Sequence, residues 1–434
     1  MDRRAPAPRG GFTIIELMVV IAIIGILAGL VVPAVLNALQ GVKQNALRLE
    51  VNALADAVEK YRDKYGDYPP DGSDWGVFKR HLQKAFPQIL ASELALLDPT
   101  IGNTVPADHP QYNLLGESGP AIRNASDSAV VVGSNYTAND LKVMDAAESL
   151  VFFLGGFSSD PKRPFTGRGG PFVVYQHGTE VHYGYNVSRE NPLYEFTAGQ
   201  LTLAEFIEPG EHAVSYSTDE GDGGSPGGEY IKAAVPTDTT YDLLPVYLPQ
   251  GGTASTHAPY VYFDSRTYVS NKNGGPYVNF YQPLNVTGTA ADDSVGLGAA
   301  YPMYSDQQNT ARKGLPGIPI TTTGANAAFL QFLMMEANKF QIIGPGIDGA
   351  YGGRVVAEVR GASDPTLAVQ QTLFLFPSGR SLFTAVADDR GRNKAFVVTP
   401  VYDQDPVSVP PDLLNRMGDN VSNFSGSSFE AGLQ

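Results

Sequence analysis

The N-terminal part of the chain contains a long apolar run, followed by a segment in which apolar residues recur with a helical period. No residue from Leu17 to Leu36 is charged, and about 20 such residues are enough for a helix that crosses a membrane. Farther along, apolar residues spaced four and three apart form one stripe, which consists of Leu47, Val51, Leu54, Val58, Tyr61 and Tyr65. The pattern predicts one helix with a membrane-spanning half and an amphipathic half.

The amphipathic half is expected to end at the sequence YGDYPPDG, residues 65–72, because glycine and two prolines stop a helix. Counted from Phe12 to Tyr65, the helix contains 54 residues. It would be about 80 Å long at a rise of about 1.5 Å per residue. Because the stripe is shorter than three heptads, we expect it to pack against a sheet of the same subunit rather than to form a coiled-coil seam.

The rest of the chain alternates between helical and strand patterns. Helical periodicity predicts helices within residues 75–86, 89–97 and 140–156. Short runs of β-branched and aromatic residues bounded by turn residues predict strands within residues 171–187, 259–269, 372–386 and 395–402. This part of the chain is therefore expected to contain both helices and strands.

Composition limits the function. The chain has 434 residues, of which 43% are hydrophobic and 17% are charged, so it is long enough for two or three folded domains. Its formal net charge of −15 argues against non-specific binding of nucleic acid, which needs a basic surface. The chain contains no cysteine, so disulfides and thiolate metal sites are excluded.

Three ordinary explanations compete for the apolar run. A buried core helix seldom lies at the N-terminus behind Arg3, Arg4 and Arg9. A secretory signal peptide has such a basic start, but its apolar region is shorter and ends at a cleavage site flanked by small residues. A signal anchor fits the length and the charge. It does not explain Glu16, since an ionised carboxylate in a membrane helix costs about 2.5–3.5 kcal/mol and needs a partner.

The whole segment RGGFTIIELMVVIAIIGILAGLVVPAVL resembles the start of type IV pilins and of the pseudopilins of type II secretion. The resemblance implies cleavage between Gly11 and Phe12, N-methylation of Phe12, and Glu16 as the fifth residue of the mature chain. The new amine would lie at the positive end of a helix, where the helix dipole disfavours a cation. Glu16 would neutralise this amine or that of a neighbouring subunit, and would thereby set the register between packed helices.

Two further residues of the segment fall where pilin helices carry helix-weakening residues. They are Gly25 and Pro33. Glycine lowers helix propensity, and an interior proline removes a backbone hydrogen bond. The resemblance therefore implies that the helix melts or bends locally at these positions during assembly.

Later segments resemble the major pseudopilin more weakly, at residues 338–352 and 418–424. The resemblance implies a pilin-like α+β fold, with the long helix packed on an antiparallel sheet, and a large mixed insertion at about residues 75–335. We therefore expect a leader at residues 1–11, a transmembrane half at 12–36, an amphipathic half at 37–65 and an extracytoplasmic globular domain at 66–434.

The resemblance also suggests a calcium site. Major pseudopilins hold calcium in a C-terminal loop, and Asp348 and Asp419 match the acidic positions of that loop. In this chain more than sixty residues separate them, where the family has a short loop. Calcium at Asp348 and Asp419 is thus a hypothesis, and the alternative is that both residues cap turns.

Other candidate sites are less specific. The sequence HGTEVH contains His177, Glu180 and His182, but it lacks the spacing of a zinc-binding helix; in a hairpin the histidines could be cross-strand neighbours and bind a metal. The acidic loop with Asp219, Glu220 and Asp222 lacks EF-hand spacing. The sequence GESGPAI, residues 116–122, resembles a serine-protease loop only faintly, so we expect no enzyme.

We therefore expect a structural subunit, a pseudopilin or minor pilin, of a type II secretion or type IV pilus-like filament. Its partners would be other pilin or pseudopilin subunits, the prepilin peptidase, the assembly platform and the inner membrane, and not nucleic acid. It would be a single-pass inner-membrane protein with a periplasmic or extracellular domain until it enters the filament. There are two alternatives. The first is an adhesin that uses a pilin helix as its anchor, and the second, less favoured by the sequence, is a membrane-anchored enzyme.

Overall fold

The computed structural model describes residues 14–97, 144–177, 180–202, 244–252, 257–272, 275–279, 281, 300–308, 332–351, 369–376, 380–387, 396–400 and 420–425. The chain forms two compact units, Met1–Ala46 and Leu47–Gln434. The described part of the first unit is helical throughout. The second unit combines helices with antiparallel strands, in agreement with the predicted α+β class.

The predicted N-terminal helix is present as α1, Ile14–Tyr65, which is 52 residues long. Its expected first two residues lie outside the described part of the chain. The helix ends at the predicted residue, because Gly66 adopts a positive φ of 76°. The amide of Gly66 donates to the carbonyl of Arg62 at 2.7 Å, so one carbonyl of the last turn is satisfied.

Among the described residues, three shorter α-helices follow, namely α2 at Trp75–Ala85, α3 at Ala91–Ala95 and α4 at Glu148–Leu154. All three lie within the predicted helical segments. Helix α4 begins later than the apolar pattern suggested, because Asp145 and Glu148 form a reciprocal cap. The Asp145 carboxylate accepts from the Glu148 amide at 3.0 Å, and the Glu148 carboxylate accepts from the Asp145 amide at 2.9 Å.

The C-terminal end of α4 is capped by Arg189, which comes from a segment well beyond the helix in sequence. Its guanidinium donates to the carbonyls of Val151 at 2.8 Å, Phe152 at 2.5 Å and Gly156 at 2.9 Å. A cation is favourable at this end of a helix, where the unpaired carbonyls lie. Arg189 therefore ties the segment after the second strand to α4.

The strands that the structure describes form three sheets. Their bounds are β1 Phe172–His177, β2 Glu180–Tyr185, β3 Val261–Asp264, β4 Val269–Lys272, β5 Gly275–Val278, β6 Tyr304–Gln308, β7 Phe332–Met334, β8 Phe340–Gly344, β9 Val369–Phe376, β10 Arg380–Ala387, β11 Phe396–Pro400 and β12 Val421–Ser422. Strands β1 and β2 form a hairpin, and the other two sheets have the orders β12-β8-β3 and β4-β5-β11-β10-β9-β6-β7. All pairs are antiparallel except β6 with β9.

The three-stranded sheet joins a strand of the predicted insertion to a strand that follows it in sequence. Strand β3 lies inside the predicted insertion at 75–335, yet it pairs with β8, with Tyr262 opposite Ile342. The larger sheet likewise combines β4–β7 with β9–β11, which come after β8 in sequence. The strands of this larger sheet therefore come from both sides of β8 in the sequence.

The predicted apolar stripe of α1 packs into the main core. Five of its six residues are buried, and the sixth, Tyr65, is partly buried against the same cluster. This cluster also contains Phe153 of α4, Tyr262 of β3 and Ile342 of β8. The opposite faces of the same strands contribute Phe263 and Ile343 to a second cluster. The sheet is therefore buried on both faces, which explains its continuous apolar runs.

Candidate functional site

The apolar half of α1 is unlike the rest of the described chain because its large side chains are exposed. Every large apolar residue from Ile14 to Leu36 has 47% to 78% of its surface accessible. A monomeric soluble protein rarely exposes an apolar surface this long. By length and composition, α1 is a helix that could cross a membrane. An apolar environment, a membrane or other helices, must therefore cover it.

The residues predicted to act in processing and assembly are only partly described. Glu16 lies in the first turn of α1, where the helix dipole favours a carboxylate. Gly25 and Pro33 lie within α1, which continues through both positions. Gly11 and Phe12 lie outside the described residues. Cleavage, methylation and local melting of the helix stay predictions.

The turn that follows α1 is held by a buried carboxylate that the sequence analysis did not single out. The side chain of Asp71 is 1% exposed. One of its oxygens accepts from the amide of Asp264 at 3.0 Å, the hydroxyl of Thr267 at 2.7 Å and the amide group of Asn279 at 2.9 Å. The other accepts from the amide and hydroxyl of Ser73 at 3.0 and 2.6 Å. Asp71 thus joins the turn to the end of β3, to the connection between β3 and β4, and to the residue that follows β5.

An arginine lies beside this carboxylate. Arg266 donates to the buried Asp264 carboxylate at 2.6 Å, to Asp67 at 2.8 Å and to the carbonyl of Tyr68 at 2.7 Å. Burial, together with the charge of Asp71, raises the pKa of Asp264 to about 7, and Arg266 opposes this shift. The sequence YPPDG indicated a turn, but the partners of the turn lie almost 200 residues away.

A second contact joins the amphipathic half of α1 to the rest of its unit. The carboxylate of Glu50 accepts from Tyr260 at 2.5 Å, from Gln200 at 2.9 Å and from Tyr247 at 3.3 Å. Glu50 lies off the apolar stripe, so the helical pattern of the sequence did not indicate these partners. On the buried side, Tyr61 and the Nε2 of His81 are 2.8 Å apart. Burial lowers the pKa of His81 to about 3, so this histidine is neutral.

The HGTEVH sequence forms the predicted hairpin of β1 and β2. His177 lies opposite Glu180, and His182 lies opposite Tyr175. The two histidines therefore lie on neighbouring strands, but not directly opposite each other. The register instead gives each histidine a different partner on the opposing strand.

The loop after β8 contains Asp348, the first of the two predicted calcium ligands. Its side chain is exposed and accepts from the amide of Ala350 at 2.9 Å. The carbonyl of Gly346 accepts a hydrogen bond from the amide of Gly349, and the carbonyl of Gly349 accepts one from the amide of Ala258. The carbonyl of Tyr351 accepts one from the side chain of Asn420. The described oxygens of this loop thus take part in the hydrogen bonding of the fold.

The second predicted ligand, Asp419, lies outside the described residues, as do the acidic loop at 219–222 and residues 116–122. Among the side chains that the structure describes, no three histidine or carboxylate groups come together in a metal-binding arrangement. Calcium at Asp348 and Asp419 stays a prediction from sequence.

Comparison with known proteins identifies the N-terminal segment. Residues 7–32 match the family described as the prokaryotic N-terminal methylation motif. The chain is also 41% identical over 69 residues to the type II secretion system core protein G of Pseudomonas aeruginosa. The chain begins with a prepilin-type segment.

The match to protein G covers 16% of this chain and 46% of that relative, so it spans about half of the relative's length. No solved structure matches. The resemblance to pilins and pseudopilins inferred from the sequence is thus confirmed through the prepilin-type segment and this partial match. Together with the exposed apolar half of α1, the segment indicates anchoring in the inner membrane.

Proposed function

We propose that this chain is a structural subunit, a pseudopilin or minor pilin, of a type II secretion or type IV pilus-like filament. A prepilin peptidase cleaves it between Gly11 and Phe12 and methylates the new amine of Phe12. Before assembly the apolar half of α1 spans the inner membrane, and the second unit lies in the periplasm or outside the cell. The chain performs no catalysis in this role.

The observation that carries the proposal is the exposed apolar half of α1 within a prepilin-type segment. Burying apolar surface contributes about 25 cal/mol per Å². The exposed side chains from Ile14 to Leu36 therefore offer a large driving force for packing against other helices once the subunit leaves the membrane. No comparable exposed apolar surface occurs in the described part of the second unit, where the large exposed apolar residues are Leu49, Val187 and Leu333.

Glu16 supplies specificity to this packing. Apolar side chains on a helix can slide past one another at little cost, whereas a carboxylate in an apolar environment requires a cationic partner. The amine of a neighbouring Phe12 is such a partner, created only by cleavage. This arrangement fixes the axial position of each subunit and restricts assembly to processed chains.

The proposal is tested by intact-mass measurement and N-terminal sequencing of the protein isolated from its native membranes. We expect a chain that begins at Phe12 and carries one added methyl group. A chain that still begins at Met1 would refute prepilin processing and leave an ordinary membrane anchor. The matched control is the Gly11→Asp variant, which should keep its leader.

A test of the adhesin alternative must leave the core intact. Deletion of residues 75–335 removes α2, α4 and β3, whose side chains pack around Tyr61 and Ile342 in the main cluster. Such a chain is expected to misfold. Surface substitutions are therefore the appropriate way to separate ligand binding from filament assembly.

A further inference from the structure

The loop after β2 contains a short motif that the filament role does not use. Asn186, Val187 and Ser188 follow the last residue of β2 and form the triplet Asn-x-Ser. Because the middle residue is not proline, the triplet is an acceptor sequence for N-glycosylation, which modifies surface loops of exported proteins. Val187 is 55% exposed, and Ser188 is exposed as well. The triplet is therefore accessible in the folded chain.

Hydrogen bonds hold Asn186 in a defined position within this loop. Its backbone amide donates to the carbonyl of Pro171, and its side-chain nitrogen donates to the carbonyl of Gly170, both at 2.8 Å. Its side-chain oxygen accepts from the amide of Ser188 at 3.0 Å, which folds the triplet into a turn. The side-chain nitrogen of an asparagine carries two hydrogens, and the bond to Gly170 uses one of them. A sugar can therefore replace the other hydrogen while the bond to Gly170 remains.

The other triplets of this type within the described residues are placed differently. They span residues 420–422 and 423–425, at β12 and directly after it. Asn420 is 3% exposed, and its side chain bonds to two backbone groups of the loop after β8. The side-chain oxygen of Asn423 accepts from the amide of Ile342 in β8 at 2.8 Å. These two asparagines are thus engaged in the sheet, whereas the triplet after β2 lies in an exposed loop.

We propose that Asn186 is a site of N-glycosylation and that its sugar faces the solvent from the loop after β2. The inference rests on the proposed location of the second unit outside the inner membrane. The sugar donor is a lipid-linked sugar diphosphate. The side-chain nitrogen of Asn186 forms a bond to the C1 atom of the sugar, the bond between C1 and the phosphate oxygen breaks, and the lipid diphosphate leaves. A base of the transferase takes the proton from the nitrogen.

The modification also orients the subunit. An attached sugar is bulky and hydrophilic, so it is compatible with a surface in water and incompatible with a packed contact between subunits. The loop after β2 therefore faces away from neighbouring subunits in the filament.

The test is mass spectrometry of the intact full-length protein from its native membranes and of its proteolytic peptides. We expect sugar mass on the peptide that contains Asn186. Ser188→Ala keeps this asparagine and its bond to Gly170 but destroys the triplet, so all of the added mass should be lost. Ser188→Thr keeps an acceptor triplet and should carry the sugar. The matched control is Thr197→Ala, which removes an exposed hydroxyl outside the triplet and should leave the sugar in place.

The same spectra report the N-terminus, so this inference and the proposed function fail separately. A chain that begins at Phe12 and carries an unmodified Asn186 would overturn glycosylation and leave prepilin processing intact. A chain that begins at Met1 and carries the sugar would support glycosylation and refute processing. Sugar mass that stays on Ser188→Ala would show that it is not attached through this triplet, and would also overturn the inference.

Discussion

Replacement of Asp71 by alanine tests the buried carboxylate that holds the turn after α1. The substitution removes a buried acceptor of five hydrogen bonds. Thr267 retains a second acceptor, the carbonyl of Asp264 at 3.1 Å, and Ser73 lies near the surface. The main loss therefore falls on the amide of Asp264 and the side chain of Asn279.

The magnitude follows from these two donors. A buried donor that loses its partner costs about 1–3 kcal/mol, and hydrogen bonds to a charged group lie at the upper end. We expect Asp71→Ala to lower the free energy of unfolding by about 3–5 kcal/mol. The matched control is Asp74→Ala, three residues later. Asp74 caps α2 by accepting from the Val77 amide at 2.9 Å, and its loss should cost about 1 kcal/mol.

Urea unfolding of the full-length protein in detergent provides the assay. Trp75 is the single tryptophan of the chain, and it is buried against Phe78 with ring centroids 5.6 Å apart. Its fluorescence therefore reports loss of the structure next to Asp71. The shift in midpoint, multiplied by the slope of the transition, gives the change in free energy. Equal losses for Asp71→Ala and Asp74→Ala would refute the reasoning that Asp71 fastens the turn to the strands.

Three further predictions concern other parts of the chain. Because burial and a neighbouring carboxylate raise the pKa of Asp264 to about 7, the folded chain keeps a proton there that the unfolded chain releases near pH 4. The free energy of unfolding should therefore fall as the pH rises from about 4 to about 7. In Asp264→Asn the urea midpoint should fall less over this pH range, and identical pH profiles for the two proteins would contradict this prediction. Arg189→Met should lower the free energy of unfolding by about 2–4 kcal/mol, because α4 loses its C-terminal cap. The control Arg168→Met, whose side chain is 95% exposed, should change it by less than about 0.5 kcal/mol in the same urea experiment. Glu16→Ala should still be cleaved but should enter filaments poorly, as measured by immunoblotting of sheared filaments. The control Val19→Ala should assemble normally. Normal assembly of Glu16→Ala would contradict the proposal that Glu16 sets the register between subunits.

The sequence by itself predicted the features that depend on residues close together in the chain. The four-three spacing from Leu47 to Tyr65 identified the buried face of α1, because a helix presents such residues on one side. The glycine and prolines after Tyr65 located the helix end. Local patterns also located α2 and the antiparallel pairs β1–β2 and β9–β10, whose strands are close together in the sequence. The N-terminal segment was recognisable because its function depends on a short contiguous motif.

Tertiary structure alone decided which distant segments meet. The antiparallel pairing of β3 with β8, the parallel pairing of β6 with β9 and the capping of α4 by Arg189 depend on contacts that no local periodicity encodes. The role of Asp71 also depends on distant contacts. The sequence indicates only a turn residue, whereas in the structure its buried carboxylate accepts hydrogen bonds from Asp264, Thr267 and Asn279. A hydrogen-bonding side chain has the same local preference whether its partner is a neighbour or a distant strand. Its role is therefore determined only when folding removes both groups from water.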